Sequence, residues 1–368
     1  CSLLTRGCKG FENLAFSEYV DSHGAELNLE TLEDGMIISL KSLDEYFNKL
    51  FPLLNLILCD PSLLESEFQN LKKSTIKFLK KDKENPFNIA FEKWRKLVYS
   101  KHPYAYNSFG YEEDILKITH NDILSEFEEF KTRNKYLISN NLNINNFNLD
   151  LTNNKTFKNR SSSSSSYLEL KNSSRYVSTH KTSNQTIIMI GNQTCPQPSC
   201  EYLLLKVLES HLSLGMSSVL FKLFREKNGI TYDLGVFYPF KKQNSPFLIY
   251  LSVSNKNALL AFKILTDLLK RLLLTLISEK EINLAKVKLK SSFLISNQSL
   301  DEILQRRIKL IGFDLDPNFD MKNLEKIEDI NSEDILRITN KYLSKPFLST
   351  YGDEKICNEI KKLWIKNF

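Results

Sequence analysis

The chain has 368 residues, enough for two or three domains that each bury a full core. Its 42% hydrophobic, 11% aromatic and 26% charged residues are those of an ordinary globular protein, not of a disordered or fibrous one. A net charge of +6, spread over 50 basic and 44 acidic side chains, is a mild surplus that argues against a nucleic-acid-binding arm.

No basic segment followed by an apolar stretch opens the sequence, so no signal peptide is visible and a cytoplasmic location is expected. Alternating residues from Met36 to Leu40 predict a strand, and the leucine-rich run from Leu43 to Cys59 predicts a helix. Glu65-Ser-Glu-Phe68 opens a second, amphipathic helix. A later one starts at Thr119-His-Asn-Asp122, where capping residues precede an acidic first turn. From Asn140 to Arg175 the composition shifts to an asparagine-rich stretch and six serines, Ser161 to Ser166, with little that could pack. Such a segment reads as a linker between domains.

Beyond it, Thr186 to Ile190 predicts a strand, and Ser199 to Leu212 a helix, after a loop with Pro196 and Pro198. Phe247 to Val253 reads as another strand, and Lys256 to Ile277 as a long apolar helix. Lys263, Asp267, Lys270 and Arg271 interrupt the apolar run of that helix, so it is no membrane span. Glu279-Lys-Glu-Ile282 and Asn331-Ser-Glu-Asp334 then mark two further helix starts.

These elements recur in the same order at a nearly constant offset. Asp114 to Leu124 resembles Lys326 to Leu336, a shift of about 212 residues, and Glu65 to Phe68 resembles Glu279 to Ile282, a shift of about 214. The predicted fold is therefore α+β, two homologous repeats that each pack a mostly antiparallel sheet against several helices. The expected division is residues 1–139 for the first repeat, 140–175 for the linker and 176–368 for the second repeat. The first repeat lacks a leading strand and helix, so it is expected to be truncated at its start.

The chemistry-bearing residues are sparse. Histidines at 23, 102, 120, 180 and 211 stand too far apart to give a helical ligand pair, and neither His-x-x-Glu-His nor His-Glu-x-x-His occurs. Cys195 and Cys200 enclose two prolines and have no second pair nearby, so they read as ordinary thiols. No Gly-x-Ser-x-Gly elbow is present. One stretch stands out: Leu214-Gly215-Met216-Ser217-Ser218, followed by Arg225-Glu-Lys-Asn-Gly-Ile-Thr-Tyr232. It sets a cation and a phenol beside a glycine corner, which is chemistry for holding a polarised carbonyl.

That stretch resembles the second half of the pitrilysin-type (insulinase and mitochondrial processing peptidase, M16) zinc peptidases. Leu3 to Gly10 with Phe16 to Leu27 is similar to the segment just after the family's inverted zinc motif. Further similar stretches are Asn85 to Phe91, His102 to Tyr106 and Ile118 to Ile123. The resemblance puts the motif's Glu and second His on Cys1 and Ser2. It puts the distal Glu ligand near Lys77 to Leu79, where no carboxylate stands.

The resemblance therefore implies a subunit without metal ligands of its own and with no cofactor in this chain. Zinc would be carried by a homologous partner subunit in a heterodimer, acting on a peptide or unfolded polypeptide. Arg225 and Tyr232 would contact substrate or the oxyanion in the partner's active site, with Gly215, Met216, Ser217 and Ser218 lining the substrate. The other reading is a catalytically inert scaffold homologue. The Arg225 and Tyr232 pair is what separates the two, since a pure scaffold has no use for it.

Overall fold

The computed structural model describes residues 2–140, 175–196 and 199–368. The expected linker, 140–175, lies outside the described residues except at its two ends. Helix α1 (Asn13–Ser22) leads into strands β1 (Glu26–Thr31) and β2 (Met36–Lys41), then α2 (Asp44–Cys59), α3 (Glu65–Asp82), α4 (Pro86–Tyr99), α5 (Glu112–Lys117) and α6 (His120–Thr132). After the gap come β3 (Tyr176–His180), β4 (Gln185–Gln193), α7 (Glu201–Ser213) and the short α8 (Val219–Phe221), then β5 (Thr231–Phe237) and β6 (Pro246–Ser254). Helices α9 (Ala258–Leu274), α10 (Glu279–Ser296), α11 (Leu300–Gly312), α12 (Phe319–Glu325) and α13 (Ser332–Leu343) follow, then β7 (Phe347–Gly352) and α14 (Glu354–Asn367). The order β1-β2-α2-α3-α4-α5-α6 thus recurs as β5-β6-α9-α10-α11-α12-α13.

The match extends to hydrogen bonds. Thr119 and Asp122 close a capping box at the start of α6, and Asn331 and Asp334 close the same box at the start of α13. In each, the cap side chain accepts from the third helical N–H while the aspartate reaches back to the cap's own N–H, so two orphan donors are satisfied.

Two compact units emerge, and their outline differs from the repeat boundaries. Among the described residues, 2–82 and 107–140 form one unit, and 83–106 and 175–368 the other. The first holds a two-stranded antiparallel sheet, with Leu27 opposite Leu40 and Thr31 opposite Met36. Its core gathers Phe16 and Val20 of α1 with Leu50, Leu53 and Ile57 of α2. Residues 135–139, which by offset correspond to the start of β7, form no strand.

The second unit is built on a five-stranded sheet of order β3-β7-β4-β6-β5, antiparallel except for the β3–β7 pair. Strands β4 and β6 are buried along most of their length because both sheet faces are covered. Ile188, Ile190, Ile249 and Leu251 face the large core made with α7, α9 and α13. Ile187, Met189, Leu248 and Tyr351 point the other way, onto Ala90, Trp94 and Val98 of α4. The Trp94 indole donates to the Phe347 carbonyl at 3.3 Å, and the Ser349 hydroxyl donates to the Ala90 carbonyl at 2.8 Å. Helix α4 follows the first repeat's hairpin in sequence, yet its apolar stripe completes the second unit. Burial of that stripe decides the outline.

Candidate functional site

The motif lies between α7 and the sheet's edge strand β5. Helix α7 ends at Ser213, and Gly215 takes a φ of +75°, a left-handed conformation that suits glycine. The turn closes when the Ser218 N–H donates to the Gly215 carbonyl at 3.0 Å. Gly215, Met216 and Ser217 are exposed, Met216 at 74%, so they present a surface. Ser218 is buried, and its Oγ has no hydrogen-bond partner among the described residues.

From α8 the chain widens into a π-helical turn over Lys222–Glu226, in which the Lys227 N–H reaches back to the Lys222 carbonyl at 3.0 Å. Such turns are uncommon and cluster at functional sites. Leu220 and Phe224, both fully buried, anchor it to the core. Gly229 adopts a φ of +59° and donates to the Arg225 carbonyl at 3.1 Å, which turns the chain into β5.

Strand β5 begins with a bulge. Thr231 pairs with Val253 and Asp233 with Ser252, so Tyr232 is the extra residue between them. The Thr231 hydroxyl ties the irregularity down through the carbonyls of Asp233 and Ser252, each at 2.9 Å. A bulge at a sheet edge re-aims a side chain, and Tyr232 is 65% exposed. Arg225 lies over the Phe221 ring at 5.5 Å and donates from Nη2 to the Tyr232 carbonyl at 2.8 Å. The predicted pair is therefore adjacent, joined through the tyrosine's main chain, with the phenol left outward. Gly215 to Ser217 are separately exposed. Sequence reasoning did not include Phe221, whose place four residues before Arg225 on a helical turn was the available signal.

The described residues do not fit a zinc ion. Among the described residues no three His, Cys, Asp or Glu side chains come together as a metal cluster. Each described histidine is otherwise engaged: His23 packs on Tyr19 and Tyr46, His102 caps the turn before Tyr104, and His120 bonds the Leu63 carbonyl. His180 lies by Glu354, and His211 is buried. Where the resemblance would place a distal glutamate, Phe78 packs on Phe109 at 4.8 Å and Leu79 is in the core. Cys1 lies outside the described residues.

Comparison with known proteins bears out the resemblance. Residues 144–289 match the family model described as Peptidase M16 inactive domain. An uncharacterized zinc protease of Rickettsia felis is 23% identical over 334 residues, which is 89% of this chain and 80% of that protein. A second from Rickettsia bellii is 20% identical over 347 residues, or 92% of this chain and 82% of that one. Among solved structures, the peptidase M16 inactive domain from Pseudomonas fluorescens superposes with a TM-score of 0.79 at 18% identity, covering 96% of this chain and 87% of that one. A protease from Helicobacter pylori gives 0.78 at 16% identity, covering 95% and 87%. The α+β fold is that of these proteins, and residues 144–289 carry the similarity to the M16 inactive domain.

Proposed function

We propose that this chain is the non-catalytic subunit of a heteromeric zinc peptidase, lining the chamber opposite a homologous, zinc-bearing partner. The observation that carries the proposal is the bulged tyrosine: Tyr232 is held outward at a sheet edge by Arg225, in a chain whose described residues offer no metal cluster. Peptide hydrolysis at zinc needs a metal-bound water and a carboxylate base, which the partner would supply. What this chain can add is donors. The Tyr232 hydroxyl and the remaining Arg225 N–H groups would bind a substrate carbonyl as negative charge develops on its oxygen. The exposed Gly215 to Ser217 turn would flank the peptide, and buried Ser218 would support that turn. The five described cysteines are free thiols, which suits a reducing compartment and makes a cytoplasmic setting part of the proposal.

The test is reconstitution with the partner, followed by substitution. Tyr232→Phe removes one donor and keeps the ring, so turnover should fall by roughly 100- to 1,000-fold, about 2.7–4 kcal/mol. Arg225→Lys should also lower turnover, because an ammonium cannot serve Tyr232 and a substrate with one planar fork. Assembly and melting temperature should change little with Tyr232→Phe. Unchanged turnover would favour the scaffold reading, which has one observation of its own: the Arg225 bond to the Tyr232 carbonyl already gives the arginine a structural task.

A further inference from the structure

Helices of the second unit border a cavity of about 540 Å³, lined by Leu214 but by none of Gly215 to Ser218, Arg225 and Tyr232. Its walls come from α7, α10, α11 and α12, with the Phe240 ring at one side. The volume falls in the range of small-molecule sites. Three basic and three acidic side chains line it: Lys206, Arg306 and Lys309 against Glu209, Glu302 and Asp320. A ligand of net negative charge is therefore not what the cavity favours. A zwitterion is.

Two of these pairs are internal. Lys206 donates to Glu209 at 2.8 Å and to the Tyr238 carbonyl at 3.1 Å. Arg306 sits 4.4 Å over the Phe293 ring, with Nε 3.3 Å from Asp320 Oδ2 but turned so that Nε makes no hydrogen bond. Burial pushes the Glu209 and Asp320 carboxyls up, opposed by Lys206 and Arg306. The remaining two charges, Glu302 and Lys309, form no ion pair among the described residues. They lie on the same face of α11 as Arg306, four residues before it and three after it. Two turns of helix separate Glu302 from Lys309 by about 10 Å along the axis. Leu289 and Phe293 of α10 and Leu324 of α12 supply apolar wall to the same cavity, beside the polar Ser292, Ser296, Gln305 and Asn323.

We infer that this cavity binds short apolar peptides with free termini. The ammonium end lies at Glu302, the carboxylate at Lys309 and Arg306, and the side chains lie against Leu289, Phe293 and Leu324. An extended peptide of about three residues spans roughly 10 Å, which matches the charge separation. A fatty acid has the apolar body and the carboxylate but no ammonium for Glu302, whose charge otherwise acts only at longer range on Arg306. The inference rests on the cavity alone, so it stands or falls independently of the partner subunit and of Tyr232.

The experiment is titration calorimetry of the full chain with trileucine, its N-acetyl form, its C-terminal amide and decanoate. Free trileucine should bind saturably, and blocking either end should weaken it roughly tenfold or more. Glu302→Gln should erase the penalty for acetylation alone, and Lys309→Gln should reduce, with Arg306 still present, the penalty for amidation alone. Glu302 is exposed and Lys309 half-buried, and a melting curve for each variant verifies that it is folded. This crossed pattern assigns each terminus to its residue. Absence of saturable binding up to millimolar trileucine would overturn the proposal. So would equal binding of blocked and free peptides, or decanoate binding as tightly as trileucine and unaffected by Glu302→Gln.

Discussion

Tyr232 shows how one extra residue converts a strand position into a presented group. Without the bulge, strict alternation would fix its side by the register of β5; with it, the ring leaves the ladder and stands at 65% exposure. The motif's residue types and the Gly215 corner were legible in the sequence, because glycine and chemistry-bearing side chains mark themselves locally. The bulge and the π-helical turn were not, since both arise from pairing with β6 and from anchoring of Leu220 and Phe224 in the core. His211 is the opposite kind of residue, a histidine used for packing. Burial holds its imidazole down at about 4, from an ordinary 6.5. Between those values the unfolded chain binds the extra proton, so stability falls as pH drops from about 6.5 through 4, by up to about 3 kcal/mol. Urea denaturation across that window should show this slope, and His211→Leu should flatten it. An equal slope in the variant would assign the loss to other groups.

At the scale of elements, caps and periodicity were the readable signals. The capping boxes of α6 and α13 start each helix where the Thr119 and Asn331 patterns place it, because a cap acts within one turn. Asn331→Ala should cost about 1 kcal/mol, measured by chemical denaturation, and no more if the box acts locally. The partner of α4 was not readable. Its stripe of Ala90, Trp94 and Val98 says that the helix is covered on one side, but not by which sheet. Trp94 is fully buried, so Trp94→Ala should destabilise the protein by about 3–5 kcal/mol. The loss should appear in amide exchange of β4 and β7, strands that the sequence repeat assigns to the other copy. Protection lost only in 2–82 would contradict the packing.

For the whole molecule, the repeat order was legible and the outline of the units was not. Contact between segments far apart in sequence leaves no local mark. A fragment of residues 176–368, cut at the repeat boundary, would bare the sheet face of Ile187, Met189, Leu248 and Tyr351. It should bind a hydrophobic dye and aggregate, and a peptide of residues 83–106 should suppress both effects. A monomeric fragment as stable as the full chain would refute the outline. The full chain purified without chelator should carry no stoichiometric zinc, as read by elemental analysis; one tightly held ion per chain would sink the pseudo-peptidase reading.

The place of α4 also sets a timetable. A ribosome makes Trp94 253 residues before the Phe347 carbonyl that accepts its indole N–H. At about 5–20 residues per second, the helix waits roughly 13–50 s with its apolar stripe uncovered. A nascent chain therefore carries a sticky helix through most of its own synthesis. Until the sheet is made, that stripe is a surface of the kind that holding chaperones cover.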